Sequence, residues 1–189
     1  MTKFKLPPKI EPYKGVLLFV IIMFAANYFW KFTVKGDESD EIVTFLGYNI
    51  SEPFNWKAGH VAYVSAFLLD LTGYDVSLNE HNIIRHDNDL GIRIVWACTG
   101  FKQMFIFSMI MLFYPGPWRK KLWFIPAGLF VAYLFNIFRI AFILAVIKFD
   151  PVKFDFLHEV VFKYIFYGII FLMWVLWEEV VKYPGMRKP

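Results

Sequence analysis

Three side chains suited to acyl transfer are Cys98, Arg139 and His158. Cys98 is the only cysteine, so it forms no internal disulfide. It is then either a small buried hydrophobe or a reactive thiol. It lies in Trp96-Ala97-Cys98-Thr99-Gly100, where a polar stretch gives way to a strongly apolar one. A helix starting there would aim its unbonded backbone N–H groups and positive dipole end at the sulfur, favouring thiolate. Arg139 lies inside an apolar run, about 13 Å along a helix axis from Lys148. A charge at that depth calls for a partner or a cavity, the alternative being a snorkelling side chain. Asn136, three residues earlier, shares its helix face. His158 opens the last apolar run, where a solvated or capping histidine is the competing reading. Together the three supply the nucleophile, general base and electrostatic stabiliser of a thiol acyl-transfer site.

The elements that must position them are membrane helices. Of 189 residues, 58% are hydrophobic, 21% are aromatic and only 19% are charged. Mean hydropathy is +0.48. No soluble domain of this size carries such a balance. The net charge of +4 gathers in short segments between apolar runs, a pattern of loop orientation and not of nucleic-acid binding. Four segments read as spans, at about 15–33, 100–114, 122–147 and 159–181. A fifth, 56–73, is apolar but interrupted by His60, Ser65 and Asp70.

Basic residues mark cytoplasmic ends. Lys3, Lys5, Lys9 and Lys14 put residues 1–14 inside, as do the turn Pro115–Lys121 and the tail 182–189. Asp37, Glu38, Asp40 and Glu41 suit the outside. Residues 34–98 then form one external segment, with 56–73 lying on or dipping into the outer face. Residues 74–97 alternate like a short hairpin reversing near Asp89 and Gly91, which leads straight into Cys98. The expected architecture is an all-α membrane protein: one domain over 1–189, a small polytopic bundle of about four spans, one outer-face helix and an external β-hairpin. Cys98 and His158 fall at the same outer level, with Arg139 approaching from below.

Three blocks in order, Ala97-Cys98-Thr99-Gly100, Asn136-x-x-Arg139-Ile140 and Leu157-His158-Glu159, resemble those of the exosortase/archaeosortase family, as does the glycine turn Leu71-Thr-Gly73-Tyr74. The likeness runs from about 56 to 175, and the short chain resembles the exosortase F type. This resemblance implies a multi-pass cysteine transpeptidase of the bacterial cytoplasmic (inner) membrane, with its site on the extracytoplasmic side. Its substrates would be exported proteins ending in a sorting signal of motif, membrane helix and basic tail. These would be cleaved through a thioester and passed to an envelope acceptor. The resemblance assigns Cys98 as nucleophile, His158 as general acid/base and Arg139 as substrate-positioning or oxyanion-stabilising group. Asn136, Thr99 and Gly100 are supporting residues, Asn136 through a hydrogen bond that orients Arg139. The partners implied are those exported proteins, the lipid bilayer and an accessory membrane protein, with no nucleic acid, cofactor or metal expected. The alternative is a non-catalytic membrane chaperone that holds substrate helices.

Other signals carry less. His81, His86, Asp87 and Asp89 fall within nine residues but have no defined metal-ligand geometry. His60 suits a polar surface as well as it suits the site. Glu178 and Glu179 beside Lys182 read as a helix-end ion pair. Trp118, Trp123, Trp174 and Trp177 read as membrane-interface anchors.

Overall fold

The computed structural model describes residues 11–37 and 42–182. Lys3, Lys5, Lys9, the acidic residues Glu38, Asp40 and Glu41, and the tail 183–189 lie outside the described residues. A 3₁₀ turn at Glu11–Tyr13 leads into α1 (Lys14–Thr33), followed by β1 (Val34–Asp37), β2 (Ile42–Phe45) and β3 (Tyr48–Asn49). After α2 (Ser51–Leu71) come β4 (Val76–Leu78), β5 (Ile83–His86) and β6 (Gly91–Arg93). A 3₁₀ turn at Trp96–Thr99 precedes α3 (Phe101–Phe113) and α4 (Trp118–Ile147). The last helix, α5 (Lys153–Val181), contains π-helical stretches at Phe156–Val161 and Trp177–Val181.

Three helices, α1, α4 and α5, are long and apolar enough to cross a membrane. α3 is apolar but has 13 residues. That is about 20 Å of helix, short of a hydrocarbon core about 30 Å thick. So three long apolar helices stand where the sequence suggests four spans. α1 is apolar all round, with Ile21, Phe24, Tyr28 and Phe32 exposed, as suits a helix in lipid. Its inner face packs on α3 and α5, through Phe19 against Trp174 and Phe29 against Phe105. α3 meets α4 where Gly128 lets the Phe107 ring lie so close that a Cβ would stand 2.2 Å from it.

Trp118 and Trp123 are exposed, but Trp174 and Trp177 are buried in the bundle core, against the expectation of interface anchors. The Pro115-Gly116-Pro117 turn explains this: Gly116 lies flat on the Trp177 ring, where a Cβ would come within 2.5 Å. The lysines that follow cap helix ends. Lys121 Nζ donates to the Tyr114 and Leu112 carbonyls at 2.6 and 3.0 Å, and Lys120 Nζ to Val181 at 2.7 Å. Both satisfy C-terminal carbonyls that have no helical partner. Lys182 pairs with Glu178 at 3.0 Å, the helix-end ion pair that the sequence suggests.

A second core holds α2 along the C-terminal half of α4, through Val61, Ala62, Ala66 and Leu69 against Ile140, Ile143, Leu144 and Ile147. The small residues on this face of α2 permit close approach, and Trp56, Tyr63, Phe67 and Leu71 face outward. The fold is not purely helical. Two antiparallel three-stranded sheets, β1-β2-β3 and β4-β5-β6, replace the single expected hairpin. The first packs Val34 and Val43 on Phe54 and Trp96. It was illegible because its strands are two to four residues long. In the second, the reversal falls where expected, with Asp89 at φ 63°.

The tip of that sheet is tied to α4 by Asp87, whose carboxylate meets Lys148 Nζ at 3.0 Å. This hydrogen bond, more than any other influence, holds the Asp87 carboxyl below the usual aspartate range. Because the folded-state value is depressed, the pair's contribution is complete above the ordinary aspartate pKa and fades as pH falls through the lower folded value. Lys148→Ala should return Asp87 to an ordinary titration midpoint, followed by NMR. An unchanged midpoint would show that the pair does not set it.

Candidate active site

The site is built on a turn. Trp96–Thr99 forms a single 3₁₀ turn, closed by the Cys98 N–H donating to the Val95 carbonyl at 2.9 Å. The Thr99 hydroxyl donates to Trp96 O at 2.7 Å and accepts the Phe101 N–H at 3.4 Å, joining the turn to the start of α3. Gly100 between them takes φ 76°. That left-handed conformation is open to glycine at little cost. A Cβ there would also stand 3.0 Å from Asn136 Cγ. Cys98 therefore does not start the helix, as the sequence suggested. It sits three residues ahead of α3, with a left-handed residue in between, because the chain must bend to bring the turn onto α4.

Asn136 is fully buried, and its Nδ2 donates to the Cys98 carbonyl at 2.9 Å. Its role differs from the one expected: it anchors the cysteine backbone and does not orient Arg139. One turn further along α4, Arg139 is 6% exposed. It interacts electrostatically with both Cys98 and His158. Its Nε and the Asn136 Oδ1 are buried with no hydrogen-bond partner among the described residues. Unpaired buried polar atoms of this kind cost about 1–3 kcal/mol each and call for a reason.

His158 reaches the site from α5, with Nε2 at 4.0 Å from Cys98 Sγ. The sequence places it at the head of the last span, but α5 begins earlier, and His158 lies inside the π-helical stretch. Such stretches widen a helix by one residue per turn and recur at functional sites. Its ring stacks on Phe154, with centroids 5.3 Å apart and planes within 10°. Phe154 is a neighbour of His158 that the sequence did not reveal. Starting the helix at Lys153 would have put Phe154 and His158 on one face at i, i+4. Asp155 and Glu159 act electrostatically on the imidazole from the same helix.

The other candidates lie elsewhere. His60 shares a 2.8 Å hydrogen bond with the Tyr133 hydroxyl and stacks between Trp56 and Tyr133. His86 turns inward and donates from Nε2 to the Leu144 carbonyl at 2.9 Å. Asp89 approaches Arg85 at 3.9 Å. Among the described residues, no three His, Cys, Asp or Glu side chains gather as a metal site.

Gly100→Ala combines a strained φ with a clash against Asn136, so it should loosen the turn. We expect a loss of about 1–3 kcal/mol, read as thermal unfolding in detergent micelles. Stability equal to that of the unsubstituted protein would show that the turn tolerates a side chain.

No curated protein and no solved structure shows a significant match to the chain. The sequence profile of the transmembrane exosortase family matches residues 43–176. That stretch contains the whole Cys98, Asn136, Arg139 and His158 constellation. The chain therefore belongs to the transmembrane exosortases, a family of membrane transpeptidases that act in the sorting of exported proteins.

Proposed function

We propose that this protein is a cysteine transpeptidase that cleaves the C-terminal sorting signal of exported proteins at the outer face of the bacterial cytoplasmic membrane. The observation that carries this reading is the 4.0 Å approach of His158 Nε2 to Cys98 Sγ, made between α5 and the turn before α3. Such distances tighten when substrate closes over the pair. Nε2 takes the thiol proton and the thiolate attacks the scissile carbonyl. The carbonyl oxygen becomes an oxyanion, against which the buried Arg139 guanidinium supplies positive charge without reorganising. As the tetrahedral intermediate collapses, the C–N bond breaks and the imidazolium returns its proton to the leaving amine. The N-terminal product remains on Sγ as a thioester.

An acceptor amine or hydroxyl then gives up its proton to His158 and attacks the thioester, releasing the thiolate. The substrate's own membrane helix and basic tail leave with the amine. Asn136 holds the nucleophile still through its carbonyl, and Thr99 and Gly100 shape the turn that presents it. The orientation follows from placing the basic turn at Arg119–Lys121 inside and taking α3, with the turn before it, as a short crossing that begins at Cys98.

Cys98→Ala and Cys98→Ser should both abolish release of a cognate sorting tail in cells, at protein levels matching the unsubstituted enzyme. His158→Ala should lower kcat by about 10²–10⁴-fold, and Arg139→Ala by at least about 10²-fold. Normal processing by either cysteine variant would refute the mechanism. Orientation has its own test: His81→Cys in a Cys98→Ala background should react with an impermeant maleimide added to intact cells or spheroplasts. Reaction only after the membrane is opened would reverse the topology.

A further inference from the structure

Lysines from three helices meet beside the turn that carries Cys98. Lys31 lies in the last turn of α1 and Lys102 in the first turn of α3. Both line a cavity of about 280 Å³ whose walls also include Trp96, Ala97, Thr99 and Gln103. Lys163 lies on α5, five residues past His158, and its charge reaches Lys102 together with that of Lys31. Helical spacing explains the meeting. Asn27 and Lys31 share a face of α1, and Lys163 and Tyr167 share a face of α5. The Tyr167 hydroxyl donates to Asn27 Oδ1 at 3.5 Å, which joins the two helices one turn below the lysines.

Ordinary roles account for only one of the three. Lys31 suits a helix C-terminus. Lys102 stands at the positive end of the α3 dipole, which disfavours a cation. Lys163 is in mid-helix, next to the exposed apolar side chains Tyr164 and Ile165. None of the ion pairs among the described residues includes any of these lysines. Two wall residues also carry buried polar atoms with no partner among the described residues, Trp96 Nε1 and Gln103 Oε1. Nε1 can only donate and Oε1 only accept. The occupant that satisfies this cavity is an anion that also carries a donor.

We propose that this cavity binds the headgroup of an anionic phospholipid that carries a hydroxyl. The phosphate oxygens accept from Lys31, Lys102 and the Trp96 indole N–H, with the positive end of α3 behind them. Lys163 adds its charge from α5, and the headgroup hydroxyl donates to Gln103 Oε1. Basic pockets between membrane helices hold lipid phosphates in this way. A lipid fits better than a soluble phosphate ester because the surface around the lysines is apolar, with Tyr28, Phe32, Tyr164 and Ile165 exposed. A lipid phosphate is already at the boundary of such a surface. Once bound, it ties α1, α3 and α5 together and sets a fixed anion beside Ala97 and Thr99, the neighbours of Cys98. The inference does not depend on what Cys98 does.

The test is a lipid titration. Full-length protein is released from micelles for native mass spectrometry after titration with phosphatidylglycerol. The Kd of the first lipid should rise about five-fold in each of Lys31→Gln, Lys102→Gln and Lys163→Gln, and further in the triple variant. Lys102→Arg keeps the charge and should bind like the unsubstituted protein. So should Lys153→Gln, which removes a lysine already paired with Asp150. Phosphatidylcholine, with no net charge and no headgroup hydroxyl, should bind at least about five-fold more weakly. An unchanged Kd in the lysine variants, or an equal rise in Lys153→Gln, would overturn the site. Displacement of the lipid by an equal concentration of inorganic phosphate would overturn the lipid assignment in favour of a soluble phosphate ester. Without added lipid, each Gln variant should unfold at or above the temperature of the unsubstituted protein, since it removes a like-charge repulsion. Unfolding at a lower temperature would show that the lysines already have a partner within the protein.

Discussion

The hydrogen bond from Asn136 Nδ2 to the Cys98 carbonyl fixes where the thiol can be. It crosses from α4 to the turn before α3, and it is made in an apolar interior, where losing it leaves a buried carbonyl unpaired. The features around it follow from that contact. Gly100 must lack a side chain because Asn136 occupies the space, and it must adopt a left-handed conformation because the chain has to bend toward α4 before α3 can start. Thr99 bridges the bend with its hydroxyl. With the turn pinned, the direction of Sγ is set, and α5 needs only to deliver an imidazole at the same height.

The delivery uses a different principle. Apart from its approach to Cys98 Sγ, His158 is held by ring stacking on Phe154 and by the geometry of a π-helical stretch. One partner of the pair is therefore positioned by a buried polar contact and the other by packing.

What was legible in the sequence was the family and the membrane. Cys98, Arg139 and His158 declare themselves by type, because a lone thiol and a charge inside apolar runs have few ordinary explanations. The helices declare themselves by length. Less legible were features decided by tertiary contact. Trp174 and Trp177 look like boundary anchors from their positions, yet Gly116 and Phe124 draw Trp177 into the core. The start of α5 was hidden because Lys153 and Asp155 look like loop residues until Phe154 is seen packing on His158. The first sheet has strands too short for any alternation to register. Asn136 was assigned to the right place with the wrong partner, since three-residue spacing shows which face a residue shares and not what crosses to meet it.

The lysines at the opposite end of the bundle bear on how this protein is made. A positive turn retains a loop on the cytoplasmic side while a chain is being inserted. In the finished protein, however, Lys121 is buried and Lys120 half-buried, and they are seated on the carbonyl ends of α3 and α5. With that turn on the cytoplasmic side, the same charges would act at two times: first as a barrier to translocation, then as fasteners at the base of the bundle. Moving these helices apart would require drawing both ammonium groups off their carbonyls. Folding thus fastens the basic turn to the ends of α3 and α5, at the end of the bundle away from the thiol.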